Sequence, residues 1–297
     1  MYHNPVLLNK SIEGLQITPG GTYVDATFGG GGHSKAILEQ LPDGRLYAFD
    51  QDIDALENVI DDEHFTLINH NFRYLKNFLR LHEVNTIDGL LADLGVSSHQ
   101  FDVAERGFST RMEGALDMRM NQSAPLTASE LINSYPLADL HNIIREFGEL
   151  KNSYKVAKAI VAAREIKPII TTKELVLAVQ SCFPQNKLNK SLAMLFQGIR
   201  IYVNDEIEAL KELLIQATEM LVPGGRLVVI SYHSLEDRLV KNLIKTGNFE
   251  GELHKDFYGN PELIYKAVNR KVFVADENEI ETNSRARSAR LRIAEKI

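Results

Sequence analysis

Four consecutive glycines, Gly29 to Gly32, separate a strand-like segment, TYVDATF, from a helix-like one, HSKAILEQL. Glycine lets a chain turn sharply and brings backbone N–H groups close to a ligand. A strand–glycine–helix unit is the opening of an open α/β sheet, in which ligands lie at the carboxyl ends of the strands. The segments that follow keep this rhythm. RLYAFD reads as a second strand, residues 52–60 as a helix, FTLINHN as a third strand, and Phe72 to His82 as a helix. IDGLLADLG reads as a fourth strand, apolar enough to be buried on both faces. Strands alternating with helices predict a parallel sheet with right-handed crossovers.

The rhythm stops after Val96 and resumes with a helix over 204–221 and a turn and strand in PGGRLVVISYHS. Between them, 104–200 holds no convincing buried strand. LTASELINSYPLADLHNIIREFG, SYKVAKAIVAAREI and TTKELVLAVQSCF all have helical periodicity. Thr127 with Glu130, and Thr171 with Glu174, have capping-box spacing. The organisation expected is a discontinuous α/β domain, 1–103 and 201–297, carrying a helical insertion at 104–200.

Charge is uneven. The whole chain is at −7, yet 151–200 holds nine basic and two acidic residues, which leaves −14 for the rest. Lys151, Lys155 and Lys158 open this basic stretch, and Arg285, Arg287, Arg290 and Arg292 crowd the end of the chain. Clustered cations suit a nucleic-acid backbone, and they equally suit solvated helix faces. The arginines stand ready either for phosphate or for the acidic main domain. The single cysteine, Cys182, excludes an internal disulfide and suits a reducing compartment. The start, MYHNPVLLNK, lacks the features of a secretory signal, and no stretch approaches the roughly 20 apolar residues that span a bilayer. A cytoplasmic protein is expected. His3, His33, His99 and His233 are too scattered to argue for a metal.

Asp50 ends the second strand about 20 residues after the glycines, where a carboxylate accepts the hydroxyls of an adenosine ribose. Asp93 ends the fourth strand, beside the position where a transferring group would lie. A dinucleotide fingerprint, G-x-G-x-x-G, needs a third glycine, and counted from Gly29 that place is Ser34. The turn is not a P-loop either. A glycine turn with no phosphate cradle suits S-adenosylmethionine, with Asp25 as one acceptor for its ammonium or adenine groups.

Several long blocks occur in one order: HNPVLL, DATFGGGGHS, DGLLADLGVSS, ERGFS, LDMRM, FQGIRIYVNDE, PGGRLVVISYHSLEDR and NSRARSARLR. Over nearly the whole chain they resemble the ribosomal small-subunit methyltransferase H family. The resemblance implies a Rossmann-like methyltransferase domain with an inserted helical domain. It implies transfer of methyl from S-adenosylmethionine to the exocyclic N4 of cytidine 1402 of 16S rRNA, in the decoding region of the small ribosomal subunit. Cofactor contacts carried over from it fall on Gly31, Gly32, His33, Asp50, Phe72, Asp93 and Gln100, with Asp93 also the candidate to take up the amine's hydrogen bond. The chain departs from the family at His99, where proline is usual, and at Asn189, Lys190 and Ser191, where His-Pro-Ala is usual. The basic insertion, with Lys151, Lys155 and Lys158, becomes the candidate RNA-binding part. His233 is left without a role, and no required metal is expected. Three other readings stand beside this one: a methyltransferase for a small molecule or protein, an rRNA-binding assembly factor without activity, and a nicotinamide-dependent oxidoreductase. Ser34 disfavours the last.

Overall fold

The computed structural model describes residues 5–269 and 271–297, so His3 and Asn4 of the HNPVLL block lie outside the described residues. The chain divides into two compact units, one of 1–95 with 207–297 and one of 96–206. In chain order the helices are α1 Leu8–Leu15, α2 Gly32–Leu38, α3 Leu75–Leu81, α4 Ser98–Asp102, α5 Ala128–Ser134, α6 Leu137–Glu146, α7 Ser153–Ile166, α8 Thr172–Val179, α9 Leu188–Val203, α10 Glu206–Met220, α11 Ser234–Thr246 and α12 Glu277–Thr282. The strands are β1 Thr22–Asp25, β2 Arg45–Phe49, β3 Phe65–Ile68, β4 Ile87–Asp93, β5 Leu221–Ser231, β6 Tyr265–Ala267 and β7 Arg290–Lys296.

The seven strands form one sheet in the order β3-β2-β1-β4-β5-β7-β6. The first five run parallel, and β1, at the centre of the switch in strand order, carries the glycine turn at its carboxyl end. Successive side chains of a strand point to opposite faces, and the cores follow that rule. Val24, Tyr47, Phe49, Leu90, Ala92, Leu227 and Val229 pack with α3, α10 and α11 on one face. Tyr23, Leu46, Ala48, Leu91, Val228 and Ile230 pack with α1 and α2 on the other. Both faces are therefore covered, as the apolar run of β4 requires.

Three features differ from the sequence expectation. Residues 52–60 form only a short 3-10 segment, Ile53–Asn58, capped by Asp52. That stretch has acidic residues and no basic one to pair with them, so an α-helix gains no charge support there. The PGG sequence is not a turn before β5 but a bulge within it. Ile87 pairs with Leu221 and Gly89 with Arg226, so the residues between Leu221 and Arg226 loop out, with Gly224 at φ 82°. The arginine-rich end divides: Arg285 and Arg287 lie in a 3-10 segment, Ser284–Ser288, and Arg290 and Arg292 open a strand. β7 runs antiparallel to β5, with β6 antiparallel beside it.

The helical unit begins at Val96 and ends at Glu206, wider than the 104–200 span read from the sequence. Its own core draws on α5, α6, α7, α8 and α9, through residues such as Leu131, Ile143, Ile160, Leu175 and Leu195. Thr127–Glu130 and Thr171–Glu174 both close capping boxes. Tyr135–Pro136 divides the first helical segment into α5 and α6, because proline disfavours helix in the residue before it. Among the described residues no helix is long and apolar enough to cross a membrane.

Candidate functional site

The carboxyl ends of β1, β2 and β4 gather three carboxylates around the glycine turn. The turn's geometry comes first. Gly29 and Gly31 take φ of 50° and 73°, values that side chains rarely adopt. A Cβ at Gly31 would also lie 3.0 Å from the Phe28 ring. At Gly32 a Cβ would lie 2.1 Å from Pro5 Cγ. Gly32 is thus small so that the segment before α1 can pack over the start of α2.

Asp50 locks the turn to β2. Its Oδ2 accepts from Gly29 N at 2.8 Å, and its Oδ1 accepts from Asp52 N at 2.9 Å. Asn58 donates to Gly29 O at 3.1 Å, and Asn69 donates to the Asp50 carbonyl at 2.9 Å. Burial pushes the Asp50 carboxyl up to about 6, against the pull of those two backbone donors. A half-buried carboxylate with spare lone pairs at this place can still receive a diol.

Asp25 is fully buried. Ser34 Oγ donates to its Oδ2 at 2.7 Å and Thr27 N to its Oδ1 at 3.0 Å. This corrects the expectation that Asp25 faces a ligand: its carboxylate is sealed beneath the turn. Ser34 gains a positive explanation too. It stands at the third-glycine position because its hydroxyl satisfies a buried acid, whose pKa burial raises.

Asp93 is held from two sides. Thr27 Oγ1 accepts from its backbone N at 2.6 Å, and Tyr232 OH donates to its Oδ1 at 2.7 Å. Burial pushes its carboxyl up to about 6, opposed first by His33 and then by the Tyr232 hydrogen bond. The same contact, with burial foremost, holds the Tyr232 hydroxyl well above its usual range. His33 is buried, with Nε2 3.1 Å from the Val6 carbonyl and Nδ1 3.9 Å from Asp93 Oδ2. A carbonyl only accepts, so Nε2 carries the hydrogen. Burial lowers the pKa of the ring, against the pull of Asp93, and Nδ1 faces the Asp93 carboxyl.

The remaining predicted residues fall as follows. Phe72 begins the 3-10 segment Phe72–Tyr74 after β3 and packs partly buried against the core. Gln100 lies in the helical unit, where it forms a capping box with Ser97 at the start of α4. Lys151, Lys155 and Lys158 are exposed in that unit, in and just before α7. Arg290 and Arg292 pair with Asp237 at 3.2 and 2.8 Å, so of the two readings of the arginine cluster these two residues follow the second. His233 caps α11, with Nε2 3.0 Å from Glu236 Oε1.

Sequence reasoning missed Tyr232 and Thr27. Tyr232 sits two residues beyond Ile230, which pairs with Asp93 across β4 and β5. A tyrosine just past a strand end that neighbours a buried acid was the signal available.

A family model described as the MraW methylase family matches residues 1–297. Ribosomal RNA small subunit methyltransferase H of Flavobacterium johnsoniae is 57% identical over 297 residues, covering 100% of this chain and 98% of that one. The protein of the same name from Bacteroides thetaiotaomicron is 57% identical over 296 residues, covering 99% and 97%. Among solved structures, an rRNA methylase from Streptococcus thermophilus aligns at TM-score 0.42 and 14% identity, covering 97% of this chain and 93% of that one. A putative methyltransferase from Streptococcus mutans in complex with SAH aligns at TM-score 0.43 and 14% identity, covering both chains fully. Overlaps this loose add nothing to the sheet order described above.

Proposed function

Because the chain belongs to the MraW methylase family, and is therefore a methyltransferase, we propose that it transfers a methyl group from S-adenosylmethionine to N4 of cytidine 1402 in 16S rRNA. The observation that carries the chemistry is the pair of strand-end carboxylates, Asp50 and Asp93. They flank a left-handed glycine turn, and each is fixed by donors from the fold. The residues present fit the cofactor: Asp50 for the ribose hydroxyls, Asp93 with His33 beside it for the positively charged end, and the backbone of Gly31 and Gly32 alongside. Phe72 joins these contacts in this reading. S-adenosylmethionine, when bound, supplies an electrophilic methyl group and makes a metal unnecessary.

The chain's own residues have a narrower task. Cytosine N4 is a poor nucleophile because its lone pair is delocalised into the ring. An acceptor that takes an N–H of that amine favours its pyramidal form. Asp93 supplies the acceptor; Tyr232 holds its carboxylate from swinging away, and Thr27 fixes its backbone N–H. Holding amine and methyl in line is the main contribution to rate. The target base must leave its stack to reach a buried site, and the exposed lysines of the helical unit hold the RNA backbone as it does so. The expected setting is the cytoplasm, with the small ribosomal subunit as partner.

The test is transfer of labelled methyl from S-adenosylmethionine to 16S rRNA by purified protein. Label in an N4-methylated cytidine is the expected result. Label only in protein or a small molecule, or none, overturns the proposal.

A further inference from the structure

Helix α7 buries one face and exposes its opposite. Ser153, Val156, Ala157 and Ile160 are buried, while Tyr154, Lys155 and Lys158 point outward. Residues three and four apart share a helix face, so Tyr154 lies on the same face as Lys158, next to Lys155. Lys151 sits in the turn just before. No ion pair ties up Lys151, Lys155 or Lys158 among the described residues. Tyr154 is 57% exposed, large for an aromatic ring. It is not loose: its ring meets His141 of α6 edge-to-face, with centroids 5.6 Å apart at 90°. Arg145, one helical turn beyond His141, is bonded to Glu146 at 3.1 Å.

An exposed ring braced by a second ring and surrounded by unpaired ammonium groups is the composition of a single-strand nucleic-acid platform. Lysines follow the backbone and a flat side chain stacks on a base. A merely solvated helix face has no use for a rigid tyrosine. We propose that Tyr154, held by His141, stacks on an unpaired base of the RNA whose phosphates Lys151, Lys155 and Lys158 contact. The inference rests on the RNA-methylating reading above and adds to it a base-stacking subsite on the helical unit.

Stacking and charge separate by their salt dependence. Binding of full-length protein to a short unpaired oligouridine is measured across a salt series. Replacing Lys155 and Lys158 with Gln flattens the slope of log affinity against log salt by about 0.7 per lysine. Tyr154→Leu lowers affinity about ten-fold at every salt concentration, with the slope unchanged, and Tyr154→Phe restores most of the loss. The chain has no tryptophan, so Tyr154→Trp installs a sole reporter, whose fluorescence is quenched when a base stacks on it. If the wild type binds and methylates RNA while Tyr154→Leu binds equally well and the Tyr154→Trp protein is not quenched, the stacking subsite is wrong and the RNA reading stands. If the wild type binds no RNA at all, both fall.

Discussion

At the scale of single residues, the site depends on acids that the fold keeps partly out of water. Asp93 shows what this does. Burial lifts its carboxyl from 3.8 to about 6, so the folded chain holds that proton more tightly than the unfolded chain. The ionised form therefore costs stability above about pH 6, and the cost fades as pH falls toward the unfolded value. Asp93→Asn keeps an acceptor for Tyr232 and removes the buried charge. It should raise stability near pH 8 by on the order of 2 kcal/mol and change it much less near pH 4. Methyl transfer should be lost all the same, and in the wild type it should fall as pH drops through about 6, where the Asp93 carboxylate takes up a proton and loses its charge. Thermal melts at two pH values and a pH–rate profile check both halves. A variant that is active, or less stable near pH 8, would contradict the role. Asp50 and Asp93 were legible in the sequence because each ends a strand. Asp25 ends one too, and nothing in the sequence distinguished it. Its sealing depends on Ser34, nine residues away, rotating its hydroxyl inward.

At the scale of elements, the glycine turn is two devices in four residues. Gly31 meets a backbone requirement, its φ of 73°. Gly32 meets a packing requirement set by Pro5, a residue far from it in the chain. Gly32→Ala must displace Pro5 and with it Val6, whose carbonyl holds His33. It should cost about 1–3 kcal/mol and weaken S-adenosylmethionine binding together. Gly20→Ala, where a Cβ would meet nothing within 4 Å, is the control and should be near neutral. Calorimetric binding and thermal unfolding of the two variants settle the comparison. Equal effects at both positions would refute the packing account. The five parallel strands and the helices with capping boxes could be read directly, since period and cap residues are local signals. β7 could not. Two of its residues belong to a run of four arginines in eight that looks like a surface stretch, and only pairing with β5 shows that Arg290 and Arg292 meet Asp237 on α11.

At the scale of the molecule, an acidic chain that works on RNA has to keep its charges apart. The surplus of lysine and arginine lies in 151–200, within the helical unit, and the acidic surplus lies elsewhere. Composition alone, at −7, pointed away from nucleic acid, whereas the distribution pointed toward it. The boundaries of that unit were less legible than its content. Val96 to Ala104 carries the short helix α4, too brief for periodicity to reveal. Likewise α9, which supplies much of the helical core, was seen only as a run of motif residues. The most direct test of the central claim is mass mapping of modified nucleotides in 16S rRNA from cells with and without this chain. The account predicts that N4-methylation of cytidine 1402 disappears on deletion, returns with the wild type, and stays absent with Asp93→Asn. Unchanged N4-methylation of that cytidine in the deleted strain would contradict it.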